Sequence, residues 1–352
     1  MRRILAATVT GGALLLAGCS SAASTGGTAA GGTPSSQGTA AAAAAAPVTV
    51  RLGFLENVTH ASALVGIKEG FFTKALGSAG TLQTTPFSTG TEEATALLAG
   101  QLDVAYVGPN PAISAFQKSN GTAIKIISGA ADGGASIVVK AGITSASQLK
   151  GQSLATPSLG NTQDVALRSW LQQNGLKTTT TGGGDVYIKP TTPNSAAVLE
   201  FKSGQIAGGS EPAPYDVEMG SDGGHVLLSE PGVTTVMIVT QSFLAAHPAV
   251  VADLLKAQIE ANDFIKSNTA AAEADVNAEL TSLSGKPLKA SVLAASFKEI
   301  TFTDDPDESS FTTDAQQATS LGLLKSASLT GIFDLTPLNT ALAAAGEAQI
   351  SS

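Results

Sequence analysis

Between residues 48 and 240 short apolar runs alternate with stretches of helical spacing, and no other feature constrains the fold of this chain as much. Residues 48–54 (VTVRLGF) alternate like a strand, followed by a polar turn at 56–60 and a helix from Ala61 to Gly70, with Gly70 as its cap. A second strand is expected at 82–87, and Gly90 and Thr91 open a helix at 92–99. A third strand follows at 102–107, with Gly108-Pro109-Asn110-Pro111 opening the next helix at Ala112. Residues 124–128 and 136–140 read as strands. The pattern then begins anew: strand 153–156, helix from Asn161 and Thr162 to Gln173, strand 185–188, helix 194–202, a turn at Glu211-Pro212, and strands 226–228 and 235–240. From Gln241 onward the spacing is helical. Strands and helices in this order predict an α/β fold with parallel sheets.

A globular part of roughly 300 residues exceeds what one core usually supports, so two lobes are expected. The element order suits a second lobe inserted into the first: residues 47–140 and 240–352 form lobe I, residues 141–239 form lobe II, and the chain crosses near 139–142 and 236–241. Each lobe is expected to be a mostly parallel sheet flanked by helices, with these two crossings as hinges.

The first 46 residues read differently. Arg2 and Arg3, an apolar stretch from Ile4 to Leu16, and small residues at Ala17 and Gly18 have the layout of a secretory signal. That stretch is shorter than the roughly twenty residues of a membrane span. The chain's single cysteine, Cys19, ends the run Leu-Ala-Gly-Cys, which resembles a bacterial lipobox. Residues 1–19 are therefore read as a lipoprotein signal whose Cys19 is acylated and anchors the mature protein to the outer face of the cell membrane. Residues 20–46 hold only Ser, Ala, Thr, Gly, Pro and Gln and read as a flexible tether. With no other cysteine, a disulfide framework and a thiol catalyst are excluded from the mature chain. A formal charge of −9 argues against a nucleic-acid partner, which calls for a basic face.

In open α/β sheets ligands sit at the carboxyl ends of strands, beside helix starts. Four such turns carry small or amide residues: Glu56 to His60, with Asn57; Ser88-Thr89-Gly90-Thr91; Gly108-Pro109-Asn110; and Leu159-Gly160-Asn161-Thr162-Gln163. Glycine admits close backbone approach, and Thr, Asn and Gln donate without charge. Helix starts offer unpaired N–H groups and partial positive charge. Taken singly, these are ordinary helix-start residues; as a set they predict a site for a small oxyanion. Only two arginines follow the signal. One of them, Arg168, lies four residues after Asp164, and an intrahelical pair worth a few tenths of a kcal/mol is favoured over an anion clamp. Glu211 has three open readings: accepting from an amine or hydroxyl on the ligand, capping the helix around Tyr215, or facing water. The acidic run 304–308 lacks calcium-loop spacing and reads as a solvated turn. His60, His225 and His247 are too scattered for a metal motif, and nothing calls for a metal or a cofactor. Trp170 and Phe201 read as core.

Several of these segments carry a family resemblance. Glu69-Gly70-Phe71-Phe72, the run from Leu97 to Ala105 (LLAGQLDVA), Gly108-Pro109-Asn110-Pro111-Ala112 and the run from Thr156 to Asp164 (TPSLGNTQD) resemble solute-binding proteins for sulfonates, nitrate and related compounds. The last is similar to the aliphatic-sulfonate branch. Glu211-Pro212 resembles the family's Glu-Pro, although Ala213 stands where Trp commonly follows. The resemblance implies a type II periplasmic-binding fold, closure of two lobes on a small solute, and delivery to an ABC permease by a monomer. It places ligand contacts on the four turns above and near Glu211. The solute expected is an alkanesulfonate or a taurine-like anion, with nitrate, bicarbonate or a pyrimidine precursor as alternatives. A surface sensor without transport is the alternative of another class. An enzyme is not expected, since no nucleophile has a partnered base and no phosphate loop is present.

Overall fold

The computed structural model describes residues 46–351. Cys19 and nearly all of the expected tether lie outside that range. The elements, in chain order, are β1 (Val48–Leu55), α1 (Ala61–Lys68), α2 (Phe71–Leu76), β2 (Gly80–Phe87), α3 (Gly90–Leu98), β3 (Val104–Val107), α4 (Pro109–Lys118), β4 (Ile124–Gly133) and β5 (Ala135–Lys140). There follow β6 (Ser153–Thr156), α5 (Thr162–Gln173), β7 (Tyr187–Pro190), α6 (Asn194–Ser203), β8 (Gly208–Pro212), α7 (Tyr215–Ser221), β9 (Gly224–Ser229) and β10 (Val233–Thr240). The remainder is α8 (Gln241–Ala246), α9 (Pro248–Ser267), α10 (Thr269–Ser284), α11 (Ala290–Lys298), β11 (Ile300–Phe302), α12 (Glu308–Ser320) and α13 (Thr336–Ala345).

Two sheets organise these elements. One has the order β11-β4-β10-β3-β1-β2, the other β7-β6-β8-β5-β9. Both are mixed rather than mostly parallel. β1 pairs parallel with β2 and β3, and β6 with β7 and β8. β10 runs antiparallel to both its neighbours, and so does β5. The reason is connectivity: β5 and β10 are the strands that arrive from the other sheet, so neither closes a right-handed strand–helix–strand unit with its neighbours.

The crossings also fall earlier than the 139–142 and 236–241 expected. The chain changes sheet at Gly133-Gly134 and again across 230–232. The crossings precede β5 and β10, so the ends of those strands do not mark the transition. Two consecutive glycines at φ 74° and 75° do, as does Gly232 at φ 97°. Such φ values favour glycine. Gly133 N–H donates to Gly232 O at 2.9 Å, tying the two crossings together.

Each sheet buries both faces. One face of the first sheet packs Leu52, Phe72, Tyr106 and Met237 against α9 residues such as Leu254 and Leu255. The other packs Val107, Ile113, Ile126 and Phe311. The second sheet has matching cores around Leu154, Leu167 and Leu171, and around Val138, Phe201 and Met219. Phe201 is core, as expected, and Trp170 packs against the core with part of its surface exposed. The acidic run is not uniformly solvated. Asp304 is buried and accepts from Asn262 Nδ2 at 2.8 Å and Gln258 Nε2 at 3.2 Å. Asp307 caps α12 through the Ser309 and Ser310 N–H groups. Short polar side chains beside a helix start are drawn inward to satisfy orphan donors.

Candidate functional site

The carboxyl ends of the strands from both sheets meet at one cavity. The first sheet supplies Leu55, Asn57, Thr59 and His60 after β1, Ser88, Thr89 and Gly90 after β2, and Gly108 and Pro111 after β3. Thr234 joins them from β10. The second sheet supplies Pro157 and Asn161 to Gln163 after β6, Asn194 after β7, and Pro212 at the end of β8. The cavity is nearly shut: about 20 Å³ remains for the centre of a water-sized sphere, little more than one water needs.

Local caps fix these turns. Asn57 Oδ1 accepts from Thr59 N–H at 3.0 Å and from Thr59 Oγ1 at 2.7 Å. Thr89 Oγ1 accepts from Glu92 N–H at 3.3 Å, starting α3 one residue before the glycine expected to do so. Asn161 Oδ1 accepts from Asp164 N–H at 2.9 Å, and Asn161 Nδ2 donates to Gln163 Oε1 at 3.0 Å. Five helices, α1, α3, α4, α5 and α6, begin at residues that line the cavity or border those that do. Their N-terminal N–H groups and dipoles make it electropositive. No Lys, Arg, Asp or Glu lines it. His60 is buried and accepts from Leu55 N–H through Nδ1 at 3.2 Å, which leaves its proton on Nε2. Burial pushes its pKa down to about 3, so it is a neutral donor at neutral pH.

Contacts between the lobes close over the cavity. Thr91 Oγ1 donates to Ser158 Oγ at 3.1 Å, and Asn110 N–H donates to Thr162 Oγ1 at 3.4 Å. Tyr215 Oη donates to Glu56 O at 3.1 Å. Gly108 faces Thr162 so closely that a Cβ there would lie 2.6 Å from Thr162 Oγ1.

Of the residues singled out from sequence, Asn57, His60, Gly90, Gly108, Asn161, Thr162 and Gln163 line the cavity. Glu56, Thr91, Asn110, Gly160 and Glu211 do not. Thr91 and Asn110 instead make the bridging contacts, and Gly160 N–H donates to Asp164 Oδ2 at 2.9 Å. Glu211 sits in β8, opposite Ser136, where a turn was expected. It is fully buried with both carboxyl oxygens lacking hydrogen-bond partners, so it neither faces water nor caps α7. Burial, then Asp216 and Glu230, hold its pKa well above the carboxylate range. Thr59, Ser88 and Thr89, which also line it, fall within two of the turns singled out; sequence reasoning missed Leu55, Pro111, Pro157, Asn194, Pro212 and Thr234. Asn194 had a readable signal, since it opens a helix after a strand in a fifth equivalent turn. Arg168 pairs with Asp164 as expected, through Nε at 2.9 Å, but the pair is fully buried and carries more weight than a surface pair. Among the described residues, no group of three or more His, Cys, Asp or Glu is placed to hold a metal ion. No described helix is long and apolar enough to cross a membrane.

A pattern for the NMT1-like family matches residues 43–280, about two thirds of the chain. The chain belongs to the NMT1-like family. No curated protein matches it in sequence. Solved structures do match this NMT1-like protein in fold. The alkanesulfonate-binding protein SsuA from Xanthomonas axonopodis pv. citri, bound to MOPS, superposes with a TM-score of 0.68 at 17% identity, over 83% of this chain and 99% of that one. The periplasmic nitrate-binding protein NrtA from Synechocystis PCC 6803 gives 0.66 at 15% identity, over 85% and 89%. The Candida albicans CA3427 product, described as having the generic periplasmic binding protein fold, gives 0.58 at 13% identity, over 83% and 95%. The NMT1-like chain thus has the two-lobed periplasmic-binding-protein fold.

Proposed function

We propose that this NMT1-like protein is the extracytoplasmic solute-binding component of an ABC importer, tethered to the membrane through Cys19. Its lobes capture a small organosulfonate and present it to the permease. The observation that carries this reading is the convergence of five helix starts on a cavity with no charged side chain. Such a site neutralises an anion with backbone dipoles and neutral donors, and suits a strong-acid oxyanion that stays ionised and exchanges no proton. The fold neighbours that bind alkanesulfonate and nitrate support the same chemistry. The small residual space favours nitrate or bicarbonate as the second reading.

A thermal-shift panel of taurine, ethanesulfonate, longer alkanesulfonates, sulfate, nitrate, bicarbonate and an aminopyrimidine tests it. A ligand at a hundred times its Kd adds about 2.7 kcal/mol of stability, enough to raise Tm by several degrees. Sulfonates are expected to shift the midpoint, with ethanesulfonate at least equal to taurine because no carboxylate lines the cavity. A shift with nitrate alone would replace the solute, and a shift with the aminopyrimidine alone would discard the anion reading.

A further inference from the structure

Three donors of the cavity wall are fixed by what their other ends do. Asn57 Oδ1 is occupied by the N–H and hydroxyl of Thr59, His60 Nδ1 by Leu55 N–H, and Gln163 Oε1 by Asn161 Nδ2. Asn161 is itself locked, because its own Oδ1 takes the Asp164 N–H. An amide or a neutral imidazole whose acceptor is spent has only N–H left to offer. Asn57 Nδ2, His60 Nε2 and Gln163 Nε2 are therefore neutral donors. Each belongs to a buried residue of the lining, and none has a partner among the described residues.

Asn194 breaks this pattern. It is 5% exposed, lines the cavity just after β7, and neither end of its amide has a protein partner among the described residues. Of the enclosed side-chain atoms left without a partner among the described residues, Asn194 Oδ1 alone belongs to a residue of the cavity lining. Asn110 Oδ1 is also unpartnered, but Asn110 lies off the lining and its amide is held by donation to Asp314 O at 3.4 Å. The positive ends of the helices around the cavity draw the oxygen of a free amide toward them. An oxygen held there selects among anions. A bare oxyanion would face it oxygen to oxygen and leave a buried acceptor unpaired, which is the costly outcome. An anion that also carries an O–H can give its negative oxygens to the three donors and its hydrogen to Asn194. An ammonium suits the place less well, because a neutral carbonyl offers no counter-charge to a desolvated cation.

We propose that the solute is a small oxyanion bearing a hydroxyl group, and that Asn194 is the residue that reads the hydroxyl. Such a solute is a narrower case of the anion-binding reading above, on which the assignment of Asn194 rests. It places 2-hydroxyethanesulfonate above ethanesulfonate, and bicarbonate above nitrate. The second pair separates the hydroxyl from size, since both members are flat monoanions of similar dimensions.

The test measures Kd by calorimetry for these four anions with the full mature protein, as wild type and as Asn194→Ala, at pH 8, where bicarbonate is the main carbonate species. In any pair that binds, the hydroxyl-bearing member is expected to be tighter by about tenfold or more. Asn194→Ala should level the two members by weakening the hydroxyl-bearing one and sparing the other. A merely structural Asn194 would move both members by the same factor and leave their ratio intact, and that result overturns the proposal. Equal wild-type affinities in any pair that binds also overturn it, while the anion reading stands. Binding of none of the four overturns both.

Discussion

Two residues of the cavity wall show how little side-chain chemistry the site needs and how closely that chemistry is packed. Gly108 has φ −68°, open to any residue, so its lack of a side chain is explained by the facing Thr162 and not by backbone strain. Gly108→Ala forces Thr162 aside, and overpacking of this kind costs roughly 1–3 kcal/mol, so Tm should fall by a few degrees. The substitution should weaken solute binding by about tenfold, the equivalent of roughly 1.4 kcal/mol. Adding Thr162→Ala removes the opposing oxygen and should restore much of the loss. A Gly108→Ala protein with wild-type affinity would show that the two lobes need not approach this closely. His60 makes the second case. Its native pKa of about 3 lies below the unfolded value of 6.5, so the unfolded chain takes up a proton that the native state refuses. Its contribution to stability is complete above pH 6.5 and falls by about 1.4 kcal/mol per unit as pH drops toward 3. His60→Gln should remove that component from the difference between urea-unfolding curves at pH 7 and pH 4.5. An unchanged difference would mean that the imidazole protonates in place.

At the scale of elements, α5 shows what spacing can and cannot convey. Asn161 as its cap, and Asp164 and Arg168 four apart, were legible in sequence; burial was not. Asp164 accepts from Thr156 Oγ1 at 3.0 Å, Gly160 N–H at 2.9 Å and Arg168 Nε at 2.9 Å, and Arg168 Nη1 also donates to Thr179 O at 2.8 Å. This knot fixes the loop that presents Asn161 and Thr162 to the cleft. Asp164→Asn leaves a buried guanidinium without its partner and should cost about 3–5 kcal/mol, whereas Asn161→Ala should cost about 1 kcal/mol. Urea unfolding gives the order, and equal losses would refute the structural weight given to the pair. β8 failed to show itself for a different reason. Its sequence, GGSEP, has none of the β-branched or aromatic residues that mark a strand. The glycines are there because neighbouring strands crowd them, with Val138 O against the Cβ position of Gly208. Packing overrode propensity, and Glu211 was consequently read as part of a turn.

At the scale of the molecule, alternation of strands and helices carried the two-sheet architecture and pointed to the strand ends at which the cavity lies. It could not locate the crossing between the sheets, because β4 and β5 both read as strand and only Gly134 separates them. It also missed Thr234, which stands at the start of β10 beside a crossing, where the strand-end rule for parallel units does not speak. The two crossings are hydrogen-bonded to each other, and Thr91–Ser158 and Asn110–Thr162 bridge the two lobes beside the cavity. A cavity this small admits a sulfonate only if those bridges part. Replacing both hydroxyls, Thr91→Cys with Ser158→Cys, tests this directly. Their oxygens stand 3.1 Å apart, and Cys19 is the sole native cysteine. A disulfide between them needs Cβ atoms about 3.5–4.5 Å apart, and its formation is checked by thiol titration. Oxidised in the absence of solute, the variant should fold, run as a monomer, and show no thermal shift with ethanesulfonate; reduction should restore the shift. Oxidised after loading, it should retain the solute through dialysis. Free exchange of solute in the cross-linked protein would mean that entry uses a path other than the cleft mouth, and the hinge would then have to serve something other than capture.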